Sequence, residues 1–296
     1  MEFLPYRYPR VRSPTQKLGP IGYCIYCSVT GSEVQLTDEH IVPDGLGGDL
    51  VLAQASCKSC AAKTSRAERR LQKDVMQFAR NVVRVSSRKR KKPEPFVSVE
   101  FESSNDGDET KVAFNDDTPF IFPFITTDEL PGILRNANGD HVPKLRISLF
   151  GPPNWNEQGQ KWLKGNGKFK WGTRFHAGIV GQALAKIAHS YACATIGPGA
   201  FEPLLNEYIL AKEPPFDGHH IGIYPSDGFD KALHYIDLQV ANAPHKTVLG
   251  LSYRAVYVVY LRLFAFQPSP SILVAVGTPK GELNPAIKMM DLTQTF

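Results

Sequence analysis

Two Cys-x-x-Cys pairs constrain the fold of this chain more than any other feature of its sequence. Cys24 and Cys27 form the first pair, Cys57 and Cys60 form the second, and 29 residues lie between the pairs. Two such pairs on tight turns can supply four thiolates to one tetrahedral zinc ion, which then joins two distant segments. Two unrelated pairs, or a set of disulfides, are the alternative reading. Four thiolates leave no open position for water, so the predicted role of the zinc is structural.

The start of the sequence favours metal ligands over disulfides. Residues 1–20 contain several Pro and Arg and no apolar run typical of a secretion signal. Paired cysteines without such a signal more often bind metal. The longest apolar run, 255–266, is interrupted by Arg262 and is shorter than the roughly 20 residues of a membrane span. We therefore expect a soluble, cytoplasmic protein with no membrane partner. The fifth cysteine, Cys193, lies in an apolar helical stretch and is predicted to be a core residue.

The segment between the two cysteine pairs contains an acidic residue followed directly by a histidine. Residues 36–50 read Leu-Thr-Asp-Glu-His-Ile-Val-Pro-Asp-Gly-Leu-Gly-Gly-Asp-Leu, with Glu39 and His40 near the middle. Together with the flanking cysteine pairs, this segment resembles the HNH endonuclease family, in the branch whose motif reads Glu-His-Ile-(Ile/Val)-Pro-x-x-Leu-Gly-Gly. The resemblance covers residues 22–72.

This resemblance implies a ββα-metal fold, in which zinc clamps a hairpin to the helix that follows it. It also implies a nuclease site where Glu39 binds a catalytic Mg²⁺ or Mn²⁺ ion and His40 is the general base that activates water. Neighbouring residues of a strand point to opposite sides, so the carboxylate and the imidazole can serve these separate tasks. A histidine suits the work of a base because its ordinary pKa lies near neutrality. Gly47 and Gly48 would allow the tight return after the strand.

The second ligand of the catalytic ion stays open, because the sequence departs from the family pattern after its last cysteine. Many members have His or Asn there, whereas this chain has Ala61. Asp49 is the first candidate, since it stands where the family often has Asn and a carboxylate can bind Mg²⁺. Glu68 is the second, because on a helix that begins near Cys60 it lies two turns beyond Ala61 on the same face. An intrahelical pair between Glu68 and an Arg on a solvated helix is the alternative.

Positive charge is concentrated in the segment that follows the second cysteine pair. Residues 58–92 contain thirteen Lys and Arg and two acids, a surplus of eleven positive charges, whereas the whole chain carries a net charge of +5. A basic segment on a mildly acidic remainder predicts contact with a polyanion. A solvated basic helix is the alternative. The residues predicted to contact nucleic acid, DNA rather than RNA, are Lys58, Lys63, Arg66, Arg69 and Arg70.

The predicted fold class is α+β, with a small zinc-clamped ββα-metal module followed by a larger α+β domain. We divide the chain into an N-terminal arm at 1–20, the module with a basic helix at 21–85, a basic linker at 86–95 and a domain of unknown role at 96–296. Sequence periodicity predicts helices at 73–86, 175–196 and 201–210, and strands near 96–101, 111–114, 120–125, 145–150, 221–224, 235–240, 248–251, 255–266 and 271–276.

Three functions are compatible with these features. The first is a metal-dependent HNH endonuclease that hydrolyses phosphodiester bonds. The second is a zinc-knuckle protein that binds nucleic acid without cutting it, and Ala61 keeps this reading open. In the third, the C-terminal domain is the working part and the zinc module is an interaction platform. His219 and His220 suggest a second metal site, although isolated histidines are more often ordinary surface or core residues.

Overall fold

The structure of the chain is a computed structural model that describes residues 6–8, 14–83, 85, 96–100, 109–113, 122–135, 143–151, 157, 176–224, 230–247, 250–290 and 292. Its strands are β1 (Tyr6–Tyr8), β2 (Gln16–Leu18), β3 (Leu36–His40), β4 (Leu50–Cys57), β5 (Phe96–Glu100), β6 (Glu109–Ala113), β7 (Phe122–Thr126), β8 (Arg146–Phe150), β9 (Phe201–Pro203), β10 (Ile221–Tyr224), β11 (His234–Thr247), β12 (Gly250–Leu263) and β13 (Ser271–Pro279). The helices of the described part are α1 (Lys58–Arg70), α2 (Gln77–Val82), α3 (Ala177–Ile196) and α4 (Asn206–Leu210). None of these helices is both long enough and apolar enough to cross a membrane.

A small sheet and the helix after it form the N-terminal module. β3 pairs antiparallel with β4, and β2 lies parallel to β4 on its other side. β4 continues into α1 without a connecting residue, because Cys57 ends the strand and also caps the helix. The Sγ atom of Cys57 accepts a hydrogen bond from the N–H of Cys60 at 3.4 Å, which satisfies one of the backbone donors left open at a helix start. This strand–strand–helix order confirms the predicted ββα arrangement.

The predicted helix over 73–86 is wrong in its bounds. The chain leaves α1 through a π-helical turn, Leu71–Val75, and α2 begins only after it. The N–H of Met76 donates to the carbonyl of Leu71, five residues earlier. This wider turn buries the neighbours Val75 and Met76 together. Apolar spacing could not reveal it, because that method assumes a constant 3.6 residues per turn.

A six-stranded sheet dominates the C-terminal region, in the order β1–β11–β12–β13–β10, with β9 also paired to β13. β11 and β12 are each 14 residues long, so the predicted strands at 235–240 and 255–266 are parts of one long hairpin. β12 ends at Leu263, earlier than predicted, because Phe264 has a left-handed backbone with φ of 55°. The predicted strand at 248–251 lies partly outside the described residues.

The other predicted elements are present, with one exception. Strands are present near 96–101, 111–114, 120–125, 145–150, 221–224 and 271–276, and α3 occupies the described part of 175–196. The predicted helix at 201–210 is wrong in its first half, since Phe201–Pro203 is β9 and pairs with the end of β13. The ring of Phe201 lies over Gly277, where an added Cβ would be 2.2 Å from it, and this packing favours the strand. The linker at 86–95 lies outside the described residues.

α3 lies at the centre of the molecule. Every residue from 178 to 193 is buried, as expected for a helix that is apolar over most of its surface. The module, with α1, packs on one side of α3, and β11, β12 and β13 pack on the other. One hydrophobic core therefore includes Leu46 of the module, Ile187 of α3 and Leu261 of the sheet. The division of the chain at 86–95 stays a prediction, but the polar side chains of α3 are placed to reach the module.

Candidate functional site

The four paired cysteines converge where the hairpin meets α1. Their Sγ atoms all lie within 4.8 Å of one another, and Cys27 Sγ is 3.8 Å from Cys57 Sγ. A tetrahedral zinc ion with zinc–sulfur bonds of about 2.3 Å requires sulfur–sulfur distances of about 3.8 Å, so this geometry fits the ion. All four are free thiols. The cluster of Cys24, Cys27, Cys57 and Cys60 is therefore consistent with the predicted structural zinc site.

Burial makes two of these thiols poor acids in the absence of a cation. It raises the pKa of Cys24 and of Cys60, and for Cys60 the neighbouring Cys24 adds to the rise. Zinc reverses this tendency because it stabilises thiolates. Among the described residues, no comparable cluster of metal-ligating side chains includes His219 or His220. His220 Nδ1 instead lies 2.8 Å from a carboxylate oxygen of Asp217.

β3 carries the Glu-His pair at the centre of the module. Glu39 is buried and His40 is half-buried, as expected if neighbours on a strand point to opposite sides. The register between β3 and β4 shifts between Thr37 and Glu39. Opposite this shift, Gln54 has a left-handed backbone with φ of 51°, and its N–H donates to Asp38 Oδ1 at 3.3 Å. Such an irregularity changes the direction of the side chains beside it, and Glu39 here points into the interior.

A lysine of α3 fills the space in front of Glu39. Lys186 Nζ lies 2.7 Å from Glu39 Oε1 and 2.6 Å from Glu68 Oε1. It also donates to the backbone carbonyls of His40 and Ile41, the second at 3.3 Å. Only 1% of the Lys186 side chain is exposed. Four oxygen atoms therefore surround one buried ammonium group.

Opposite charges hold this cluster together in the interior. Burial alone would lower the pKa of Lys186, but the two carboxylates outweigh that effect and raise it above the ordinary value. Burial raises the pKa of Glu68, Glu39 adds to the rise, and Lys186 opposes it. Because one ammonium group faces two carboxyl groups, the cluster favours positive charge at its centre.

The structure brings Glu39 and Glu68 together but places Asp49 elsewhere. Asp49 is buried, and its Oδ1 accepts a hydrogen bond from the hydroxyl of Tyr6 at 3.0 Å. Burial raises the pKa of Asp49, and the bond from Tyr6 opposes this. This contact ties β1 to the module. Glu68 points inward to Lys186, which differs from the surface pair with an Arg that the sequence left open.

Two glycines shape the loop between β3 and β4. Gly47 has φ of 91°, and a Cβ added to Gly48 would lie 1.9 Å from the carbonyl oxygen of Val42. Both features require glycine, which confirms the predicted tight return. The loop is fixed from the C-terminal region, because His234 Nε2 lies 2.7 Å from the carbonyl oxygen of Leu46.

His234 is expected to make the protein sensitive to acid. Its Nδ1 accepts the N–H of Phe264 at 3.1 Å and its Nε2 faces the carbonyl of Leu46, so a neutral ring with its proton on Nε2 satisfies both contacts. Burial lowers the pKa of His234 from 6.5 to about 4. Between these values the unfolded chain binds a proton that the folded chain does not. The free energy of unfolding should therefore fall as the pH drops from about 6.5 to about 4, by up to about 3 kcal/mol from this residue.

Urea unfolding at pH 7 and pH 4.5, followed by circular dichroism, measures this loss. His234→Gln cannot take up the proton, so the variant should lose less stability between the two pH values than wild type does. Its stability at pH 7 should be lower, since Gln cannot reproduce both hydrogen bonds. Equal losses in the two proteins would contradict the assignment.

The basic residues of α1 fall into two groups. The buried face of the helix contains Cys60, Thr64 and Ala67. The basic residues exposed on its other side are Lys58, Lys63, Arg66 and Arg69. Arg70 is half-buried and pairs with Asp74 at 3.1 Å. α1 therefore presents a row of unburied positive charge, and the basic residues 88–92 lie outside the described part of the chain.

Sequence reasoning missed the contribution of α3 to this region. Lys186, His189 and Ser190 lie on one helical face, three and four residues apart. Besides the Lys186 contacts, His189 Nε2 lies 2.9 Å from the carbonyl of Ile25, and Ser190 Oγ lies 3.1 Å from the hydroxyl of Tyr26. The sequence feature that could have indicated this contribution is the row of polar residues in a helix that is otherwise apolar. Cys193 is buried one turn further on, which confirms the prediction of a core residue.

Comparison with known proteins bears on the module. The sequence model of a family described as HNH endonuclease matches residues 24–76. No curated protein matches the chain. No solved structure matches it either. The matched residues include all four cysteines of the cluster, both residues of the Glu-His pair and Glu68. Residues 24–76 of this chain are therefore similar to the HNH endonuclease family, and this similarity supports a nuclease-type function.

Proposed function

We propose that this chain is an endonuclease that binds DNA along α1 and hydrolyses phosphodiester bonds beside β3, with His40 as the general base. The observation that carries the proposal is the position of His40. It is half-buried at the end of β3, in the hairpin that the cysteine cluster joins to α1, while its neighbour Glu39 is buried. The family match supports action on nucleic acid in general, and the preference for DNA over RNA belongs to the proposal.

In the proposed hydrolysis, the protein carries out one proton transfer. A neutral imidazole of His40 takes a proton from a water molecule as the water oxygen attacks phosphorus. The bond from phosphorus to the 3′ oxygen then breaks, and that oxygen takes a proton from solvent. A histidine suits this transfer because the ordinary pKa of an imidazole lies near neutrality.

A catalytic Mg²⁺ or Mn²⁺ ion does not fit the folded site beside Lys186. Glu39 and Glu68 offer the oxygen ligands that such ions prefer, but both contact the Lys186 ammonium group. Magnesium–oxygen bonds of about 2.1 Å would place the ion where that group already lies. Asp49 is engaged with Tyr6 instead. We therefore assign no step of the hydrolysis to a metal ion held by these residues.

The same ammonium group favours a second candidate function, in which the module binds nucleic acid and does not cut it. An HNH site without a divalent ion lacks the cation that stabilises the charge on phosphorus. Ala61 also favours this second function, because many members of the family have a metal-binding His or Asn directly after the last cysteine. The basic side of α1 serves binding in both candidate functions.

Binding to DNA should depend steeply on salt. Each phosphate contact releases counterions, so the logarithm of the association constant falls linearly with the logarithm of salt concentration, with a slope of about −0.9 per contact. Replacing the exposed Lys63 and Arg66 by Ser should therefore reduce this slope by about 1.8. Fluorescence anisotropy of a labelled DNA duplex at several salt concentrations measures it.

The matched control removes two exposed lysines beside the large sheet, Lys231 and Lys288. Lys231→Ser together with Lys288→Ser makes the same change in net charge and should leave the slope within error of wild type. A salt-independent affinity would contradict binding through phosphate contacts. An equal effect of the two double variants would show that the net charge of the chain, and not α1, governs the binding.

Cleavage of supercoiled plasmid and of RNA by the purified chain tests the proposed hydrolysis. Both substrates are incubated for hours with Mg²⁺, with Mn²⁺ or with a chelator. The proposed function predicts nicked plasmid and a slower loss of RNA. Faster loss of RNA would overturn the preference for DNA. A third outcome is that wild type and variants of Lys186 bind DNA and yet leave both substrates intact under every condition. That result would contradict the endonuclease and support the function in which the module binds nucleic acid without cutting it.

A further inference from the structure

The buried ammonium group of Lys186 contacts both carboxylates that the module offers as ligands for a divalent ion, Glu39 and Glu68. The oxygen atoms that surround it come from two elements and the residue after one of them. β3 supplies the carboxylate of Glu39 and the carbonyl of His40, Ile41 directly follows the strand, and α1 supplies Glu68. Two carboxylates and two carbonyls are the hard oxygen ligands that Mg²⁺ and Mn²⁺ select. These four oxygen atoms could bind a cation, and the ammonium group of Lys186 occupies the position between them.

The packing of α3 holds the Lys186 side chain beside these oxygen atoms. Its helix, α3, is buried along residues 178–193 between the module and the six-stranded sheet. A Lys186 side chain that withdrew from the carboxylates would have to place its charge among apolar core residues, such as Ala183 and Ile187. Transfer of an unpaired charge into such surroundings is strongly unfavourable. Binding of a divalent ion therefore competes with a cation that the fold itself holds in place.

We propose that Lys186 is an internal counter-ion that closes the Glu39–Glu68 site to divalent metal, so that the HNH module is held without a catalytic ion as long as α3 stays packed against it. The inference concerns regulation of the site in the proposed function and rests on that function for its biological meaning. Metal binding is measured without any cleavage, however, so either claim can fail while the other stands.

The charges and distances determine what removal of the ammonium group should do. Without it, two carboxylates that both lie within 2.7 Å of Lys186 Nζ lose their positive partner. They must then take up a proton or bind another cation. Lys186→Ala also leaves space where the side chain was, and a divalent ion with a water ligand can occupy that space. The variant should therefore gain a metal site that wild type lacks.

The experiment titrates zinc-loaded protein with Mn²⁺ and records free Mn²⁺ by electron paramagnetic resonance. Oxygen-ligated sites are the ones that Mn²⁺ prefers, so the cysteine cluster should not interfere. Wild type is expected to show no site with a Kd below about 1 mM, the weak end for oxygen-ligated cation sites. Lys186→Ala should bind one Mn²⁺ per chain with a Kd below that value. Lys186→Ala combined with Glu39→Gln and Glu68→Gln should lose the site again.

Folding of each variant is followed by circular dichroism and by thermal unfolding with and without Mn²⁺. A metal that binds only the folded chain raises the Tm, so Lys186→Ala should gain thermal stability from Mn²⁺ while wild type should not. Should Lys186→Ala fail to fold, Lys186→Gln removes the charge and keeps a hydrogen-bond donor. The wild-type titration can overturn the claim whether or not the variants fold. One Mn²⁺ bound by wild type below about 1 mM and lost in Glu39→Gln would overturn it, as would a folded Lys186→Ala that binds no more Mn²⁺ than wild type.

Discussion

Loss of the zinc ion is expected to unfold the N-terminal module. The β2–β4–β3 sheet is small, and the four cysteines join its turns to the first turn of α1. Structural zinc contributes about 10–16 kcal/mol to folding in small zinc modules. Cys57→Ser should have the largest effect, because Cys57 is a predicted ligand and also the residue whose sulfur caps α1. The module should lose its secondary structure and its resistance to proteolysis.

Mass spectrometry for metals and limited proteolysis test this expectation together. Wild type purified without chelator should contain one zinc per chain, and Cys57→Ser should contain none. Cys193→Ala is the matched control, because Cys193 is a buried cysteine outside the cluster. It should retain the zinc. Wild type without zinc, or a Cys57→Ser variant that remains folded and resistant to protease, would contradict the zinc site.

His40→Ala should lower the rate of DNA cleavage by about 10² to 10⁴, the usual contribution of a general base. Binding should persist, because the exposed basic residues proposed to contact phosphate lie on α1 and not on β3. The fold should persist as well, since the zinc site uses neither His40 nor its neighbours. Single-turnover rates and DNA affinity, measured on the same protein, separate these effects.

Asp38→Asn is the matched control for the substitution of His40. Asp38 precedes the Glu-His pair on the same strand and forms an exposed ion pair with Lys17 at 2.7 Å. Exposed pairs contribute little to stability, about 0–1 kcal/mol. This variant should cut within a few-fold of the wild-type rate. A His40→Ala variant that cuts as fast as Asp38→Asn would place the hydrolysis at another residue.

The features that the sequence predicts correctly are those with a local pattern. The two Cys-x-x-Cys pairs predict the cysteine cluster because each pair fixes two sulfur atoms on one turn. The Gly47-Gly48 step predicts the tight return, because each glycine occupies a position where a side chain is excluded. The bounds of α3 follow from a long apolar run. Each of these signals lies within a few residues of the structure that it predicts.

Strand lengths in the large sheet could not be predicted, because pairing partners decide them. Pro244 suggests the end of a strand, since proline has no N–H for the ladder. In the structure it lies inside β11, opposite Tyr253 of β12. β1 covers the other side of β11 only at residues 234–236. At Pro244 the strand is therefore an edge within the described structure, and the missing N–H costs no ladder bond.

The role of Lys186 was also beyond the reach of sequence patterns. It contacts the backbone of His40 across 146 residues of chain, and the spacing of residues within α3 carries no information about that partner. Glu68 was recognised as a candidate from helical periodicity, since it lies on the face of α1 that Ala61 shares. Only the packing of α3 against the module shows that Glu39 and Glu68 share one ammonium group.

We propose that hydrolysis takes place beside β3 and that Lys186 of α3 slows it by excluding a divalent ion. Plasmid nicking in Mn²⁺ by wild type, by Lys186→Ala and by Lys186→Ala with His40→Ala tests this claim most directly. The account predicts that Lys186→Ala nicks plasmid at least about tenfold faster than wild type, a difference of about 1.4 kcal/mol in the barrier, and that His40→Ala abolishes this gain. A folded Lys186→Ala that is no faster than wild type, or a double variant that is as fast as Lys186→Ala, would contradict it.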